Sequence, residues 1–301
     1  MDINYKCHFC TECRGTGCLG ELPGLGGFGG NINFKLNCAE WDVLAEKTVI
    51  KEALALKIKK NSNTGTELPT MRLAPITGAV ENIGWPDEES YYDTMIKAAV
   101  KANLKLSIGD GCPDTKLQSG IKAVLDANKK AAVFIKPYPN DKIFERMEWA
   151  NNVAEIFGVD IDSYNILTMR NKVHLEKKTA TQLLELKKHS KRPFAVKGVF
   201  TQDDIELIKN LKPDIVYISN HGGRVENRIG STADFLFENY KILLKNCGKL
   251  WIDGGIRKFR DIQIASLFGV SEVLVGRPFI SALCKNKEDG ISNKYKELYS
   301  R

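Results

Sequence analysis

From residue 71 onward the chain repeats one pattern: a short, almost continuously apolar run, then a longer stretch whose apolar positions recur every three or four residues. The short runs predict strands at 71–76, 104–108, 132–136, 159–162, 194–197, 215–219, 250–253 and 272–275. The longer stretches predict helices at 90–102, 115–128, 141–157, 179–189, 202–211, 233–246 and 260–268, with one more after Pro278. Strands without polar alternation are those covered on both faces, which points to a parallel sheet under helices. Eight such units fit a (β/α)8 TIM barrel better than a doubly wound sheet. In a barrel, chemistry gathers where strands end. Lys136, Asp162, Lys197, His221, the 253–257 segment and Gly276–Arg277 all fall at such ends.

Residues 1–67 do not share the pattern and form a cysteine- and glycine-rich N-terminal extension, with the barrel assigned to 68–301. Asn37 with Glu40 three residues on reads as a capping box for a helix starting at Cys38. The alternation over 53–59 suits a hairpin after that short helix. Four of the eight cysteines crowd together as Cys7, Cys10, Cys13 and Cys18. That spacing is compatible with a 4Fe–4S iron–sulfur cluster, with zinc, or with unligated thiols. Cys38, Cys112, Cys247 and Cys284 are dispersed and read as buried thiols. Gly24, Gly26 and Gly29 spell a dinucleotide fingerprint as a string, but no strand precedes them, so they read as a flexible loop.

Bulk properties narrow the class. With 43% hydrophobic and 27% charged residues the composition is that of a globular protein. No apolar run approaches the roughly 20 residues of a membrane span. The N-terminus shows no basic segment followed by an apolar core, so a cytoplasmic location is expected. The formal charge of +7 is spread along the chain, and no aromatic-basic interleaving suggests nucleic acid.

The sharpest chemistry is in Ser219-Asn220-His221-Gly222-Gly223-Arg224. Histidine is the side chain best suited to take a proton near neutral pH, and arginine grips a carboxylate through two parallel hydrogen bonds. A base would thus stand beside a carboxylate clamp. Asp253-Gly254-Gly255-Ile256-Arg257 follows the next strand as an anion-binding loop.

These two blocks, with Phe194-Ala-Val-Lys-Gly and Val275-Gly-Arg-Pro278, resemble the FMN-dependent α-hydroxy-acid oxidase and dehydrogenase family. The resemblance covers about residues 69–285 and is densest over 193–279. It implies an FMN-binding (β/α)8 barrel that oxidises a small 2-hydroxy acid, such as lactate or glycolate, and passes the electrons to an unidentified acceptor. It also implies a homo-oligomer. By position, His221 would be the base, Arg224 the carboxylate ligand and Lys197 the cation beside the flavin. Asp162 matches the aspartate that orients the histidine, with Asp160 as the alternative. Asp253, Gly254, Gly255, Arg257, Gly276 and Arg277 match the phosphate loops. Pro75, Ile76 and Thr77 match the segment lying against the flavin, and Ser107 and Ser219 are further cofactor contacts.

The chain also departs from the family. Lys136 stands where a glutamine is usual, and the tyrosine that follows that glutamine has only Tyr138 as a counterpart. The second substrate arginine has no match beyond Arg170. The N-terminal cysteines resemble a shorter bacterial branch. Two other readings stay open at this point: an electron-transfer or sensor flavoprotein without turnover, and a non-redox flavin-dependent isomerase, which the His-Gly-Gly-Arg arrangement disfavours.

Overall fold

The computed structural model describes residues 32–61, 68–80, 85–165, 172–225 and 227–299. The four N-terminal cysteines, the Gly24–Gly29 string and Arg170 lie outside them. Two helices come first, α1 (Ile32–Glu46) and α2 (Thr48–Asn61). Eight strands follow: β1 (Thr70–Leu73), β2 (Leu106–Gly109), β3 (Ala131–Ile135), β4 (Ala154–Asp160), β5 (Phe194–Val199), β6 (Ile215–Ile218), β7 (Lys249–Ile252) and β8 (Val270–Val275). All pair in parallel, in the order β1-β8-β7-β6-β5-β4-β3-β2. The ring closes where Arg72 bridges Lys105 and the Leu73 amide donates to the Lys105 carbonyl at 2.9 Å. This is the expected (β/α)8 barrel.

Period-two alternation divides each strand between two cores. One face packs outward on the helices. The other fills the barrel with Ala132, Phe134, Ala195, Ile215, Tyr217, Trp251 and Leu274. Below this plug sits a buried ion cluster. Arg72 Nε donates to Glu272 at 2.6 Å, its Nη1 to Glu155 at 2.7 Å, and its guanidinium lies 4.8 Å from the Trp251 ring. Lys105 also pairs with Glu272.

Four predicted elements need correction. The helix expected to run through 157 ends at Ala150, and β4 begins at Ala154 rather than 159. Ile143, Met147 and Ala150 keep helical spacing, but Ile156, Gly158 and Asp160 alternate inward. Gly158 has to be small there, because a Cβ would stand 2.6 Å from the Phe134 ring. The expected hairpin over 53–59 is helix instead: these residues belong to α2, held by Ile50 and Leu54 at a helical spacing of four. Helix α1 starts six residues before Cys38, and Asn37 is not its cap but a buried residue inside it. The four dispersed cysteines are half-buried rather than buried, and none forms a disulfide. Among the described residues no helix is long and apolar enough to cross a membrane.

Arg72→Met should lower stability by about 3 kcal/mol, the low end of the ~3–5 kcal/mol typical when one partner of a buried ion pair is removed. The low end applies because Lys105 still faces Glu272. Chemical denaturation reads this directly, and an unchanged midpoint would show that the cluster is not a keystone of the barrel floor.

Candidate active site

The inward alternation continues where the strands stop being apolar. Two residues beyond Phe134, Gly158, Ala195, Tyr217, Trp251 and Leu274 stand Lys136, Asp160, Lys197, Ser219, Asp253 and Gly276. The top layer of the barrel interior is therefore polar. Lys136, Asp160, Lys197, Asp253 and Gly276 line one cavity at the C-terminal rim, closed by residues 74–77, 109–110, 254–257, His221, Gly222, Arg224 and Arg277. Five cations (Lys136, Lys197, Arg224, Arg257 and Arg277) face three carboxylates (Asp110, Asp160 and Asp253) across it. The excess of positive charge suits an anionic occupant.

His221 enters the cavity on an unusual backbone. It takes a left-handed φ of 57°, followed by Gly222 at 66° and Gly223 at 91°. A non-glycine residue there costs roughly 1–2 kcal/mol, a cost the surrounding contacts offset. The Gly223 amide donates to the Asn220 side chain at 2.9 Å, and the His221 amide donates to Ser219 Oγ at 3.2 Å. A Cβ on Gly222 would stand 2.7 Å from Arg277 Nη2, so a side chain there would have to displace that guanidinium.

The imidazole is held on both edges. Nδ1 lies 3.2 and 3.3 Å from the two Asp162 oxygens, and 3.9 Å from Asp160 Oδ2. Nε2 lies 3.4 Å from Lys136 Nζ. A carboxylate at Nδ1 favours the tautomer with its proton there and turns the Nε2 lone pair toward the Lys136 ammonium. Asp160 belongs to the lysines: Lys136 Nζ is 2.6 Å and Lys197 Nζ 2.5 Å from its two oxygens. Of the two aspartates left open by the sequence, Asp162 is nearer the histidine and Asp160 joins the two cations.

The ionisation states follow from this packing. Burial pushes the His221 pKa down, Lys197 and Lys136 push it further, and Asp162 and Asp160 only partly oppose them. Burial alone would raise Asp160, but the two ammonium groups outweigh it and hold the carboxyl well below its ordinary range. Burial would lower Lys197, yet the same aspartate raises it. The cluster is therefore a charged triad beside a neutral imidazole.

The remaining expected residues divide by position. Pro75, Ile76, Thr77, Gly254, Gly255, Arg257, Gly276 and Arg277 are on the cavity wall. Arg277 donates to the Gly222 carbonyl at 3.1 Å, and the Arg257 amide donates to Asp261 at 2.8 Å. Ser219 is not on the wall; it braces Asp253 at 3.0 Å from below the histidine loop. Ser107 lies one layer deeper, and its buried Oγ has no partner among the described residues. Tyr138 is fully buried against Arg146 and Lys142 and lies off the wall, so it offers no contact to a ligand there.

Asp110 carries no motif of its own in the sequence, although it follows a strand end. It is on the cavity wall, its Oδ2 is 3.0 Å from Arg146 Nε, and its Oδ1 accepts from the Gly111 amide at 2.7 Å. Burial pushes its pKa up to about 6 against the pull of Arg146. The strand-end position is the signal that marks it; the family resemblance points to Ser107 instead.

A family model described as FMN-dependent dehydrogenase matches residues 125–300. A 2-hydroxyacid oxidase of Dictyostelium discoideum is 36% identical over 113 residues, covering 38% of this chain and 29% of that protein. The L-lactate dehydrogenase (cytochrome) of Saccharomyces cerevisiae is 35% identical over 102 residues, covering 33% and 17%. The matched stretch thus spans less than a third of either relative. A mandelate oxidase variant solved with (S)-mandelic acid superposes with a TM-score of 0.66 at 17% identity, over 93% of this chain and 85% of that one. At that identity the superposition speaks for the fold.

The residues present suit a phosphorylated flavin. Glycine-lined loops with Arg257 and Arg277 offer donors for a phosphate, and buried Lys197 offers positive charge for a ring. Asp253 keeps one buried oxygen, Oδ1, without a partner among the described residues, an acceptor ready for a hydroxyl.

Lys136→Gln restores the residue usual in the resembled family and removes one of the cations that depress His221. The imidazole pKa should rise in the variant. An NMR titration of the flavin-free protein measures it, and a pKa that stays or falls would show that Lys136 does not act on the ring.

Proposed function

We propose that this chain, which belongs to the FMN-dependent dehydrogenase family, is an FMN-dependent oxidoreductase that oxidises a small 2-hydroxy acid to the 2-oxo acid. One observation carries the reading. His221 is held at Nδ1 by Asp162, turns Nε2 toward Lys136, and lies on the wall of a cavity ringed by cations. That is a base next to a place for an anion.

Oxidation removes two electrons and two protons from the substrate, one proton from the α-carbon and one from the hydroxyl. Bound FMN would supply the acceptor for the electron pair and for the proton that His221 does not take. Arg224 would pair with the substrate carboxylate and fix its orientation. His221, neutral because of burial and the nearby lysines, would take one proton at Nε2. Asp162 would stabilise the imidazolium so formed. Lys197, kept charged by Asp160, would balance negative charge on the flavin ring. Pro75, Ile76 and Thr77 would lie against that ring, while Gly254, Gly255, Arg257, Gly276 and Arg277 would hold the phosphate. Lys136 would contact the cofactor where the family usually has glutamine.

The acids to try begin with lactate, glycolate and mandelate. Relatives are named for 2-hydroxy acids and lactate, and the structural neighbour for mandelate. The choice among them rests with the part of the substrate clamp that differs here, since Tyr138 is buried away from the cavity.

FMN-loaded protein, mixed without oxygen with a panel of L- and D-2-hydroxy acids, should bleach in the flavin bands with at least one of them. His221→Ala should keep FMN and slow this reduction by about 100-fold or more. Near-normal reduction in the variant would remove His221 as the base. A wild-type spectrum unmoved by every acid would favour an electron-transfer or sensor protein instead.

A further inference from the structure

Helix α1 precedes the barrel, and its buried face sets two asparagines, Asn33 and Asn37, among the apolar Phe34, Trp41, Leu44 and Ala45 that dock it. Asn33, Asn37 and Trp41, spaced by four, place one polar group per turn against the loops of the site. Asn33 Nδ2 donates to the carbonyls of Val225 and Arg228, both at 2.8 Å, and its Oδ1 accepts from the Gly230 amide at 2.9 Å. Trp41 Nε1 donates to the Gly254 carbonyl at 2.8 Å. Asn37, 1% exposed, sits between them.

The Asn37 carboxamide makes three hydrogen bonds. Its Nδ2 donates to Asn220 Oδ1 at 2.8 Å, and its Oδ1 accepts from Asn220 Nδ2 at 3.1 Å and from the Thr232 amide at 3.0 Å. Asn220 is the residue before His221, and the same Asn220 oxygen accepts from Gly223 and closes the left-handed turn. Thr232 in turn donates through Oγ1 to the Asp253 carbonyl at 2.6 Å. The Asn37 backbone carbonyl also presses on the glycine loop: a Cβ on Gly255 would stand 1.7 Å from it. An amide buried in this way costs free energy unless every hydrogen bond is made. A leucine would dock the helix as well, but it could not join two loops.

We propose that Asn37 is a positioning residue, which through Asn220 sets the turn that aims His221 and through Thr232 and Gly255 ties that turn to the glycine loop that would hold the cofactor phosphate. The proposal rests on the roles proposed for His221 and the glycine loop. It adds that the helix outside the barrel belongs to the site.

Three variants separate positioning from packing: Asn37→Ala, Asn37→Asp and Leu44→Ala. Leu44 is buried two turns along the same helix and contacts the hydrophobic core, so its truncation weakens helix docking alone. Asn37→Asp keeps both acceptor contacts and loses the donor to Asn220, and it tests the proposal if the alanine variant fails to fold. Each protein is measured for denaturation midpoint, for the His221 imidazole signals by NMR without flavin, and for FMN affinity by fluorescence quenching. Asn37→Ala should shift or broaden the His221 signals and weaken FMN binding about tenfold or more, as loss of two or three buried hydrogen bonds implies. Asn37→Asp should fall between, and Leu44→Ala should lose stability while keeping both signals. If the two alanine variants lose stability alike and both keep wild-type imidazole signals and FMN affinity, Asn37 only docks the helix. None of these readouts requires a 2-hydroxy acid, so a failure of the proposed oxidation would leave the result interpretable.

Discussion

A closed parallel barrel leaves each strand residue only two directions, into the lumen or out toward the helices, and the rest of this molecule depends on that alternation. Along the inward direction the layers change character from bottom to top. An ion cluster on Arg72 comes first, then an apolar plug, then a polar rim. Because the layers share one parity, a one-residue slip of β3, β4 or β5 would turn Lys136, Asp160 or Lys197 out of the lumen and into the helix-facing core. Folding of the plug and assembly of the site are therefore a single event. The apolar residues that fill the lumen also aim the charged ones that follow them.

Much of this is legible in the amino-acid sequence. The continuous apolar strands and the helical spacing between them lead to the barrel, and the strand-end positions lead to Lys136, Lys197, His221 and the two glycine-arginine loops. What stays hidden has a physical reason in each case. Asp160 and Asp162 are two residues apart and both near the rim; only the turn after β4 decides that one meets the histidine and the other the lysines. Asn37 carries a capping residue's chemistry, and a local pattern offers no sign that its partners lie 183 and 195 residues away. The helix predicted through 157 overruns because the strand after it begins with Ala-Glu-Ile-Phe, a string that suits either state until β3 and β5 pair with it.

Two of the departures from the resembled family pull on different parts of the site. Tyr138 is committed to a cation-faced pocket with Arg146 and Lys142, outside the cavity. On the proposed reading, its place off the wall would change where a substrate side chain lies. Lys136 does something else. A neutral amide at that position would leave Asp160 with Lys197 alone; an ammonium group gives the aspartate a second partner and gives the histidine a cationic neighbour. The first departure concerns shape, the second concerns charge.

That charge has a consequence for His221 as the proposed base. Burial first, and then two of the cations that line the cavity, Lys197 and Lys136, push His221 toward its unprotonated form. A carboxylate arriving beside Arg224 and a phosphate beside Arg257 and Arg277 would each offset part of that positive field. Coulomb's law then requires the imidazole to hold a proton more readily once the anions are in place than before. A neutral base that gains proton affinity on binding its partners is better matched to taking a proton from them than one whose affinity is set in advance. Asp162, 3.2 Å away on the far edge of the ring, raises that affinity before and after binding without competing for the proton at Nε2.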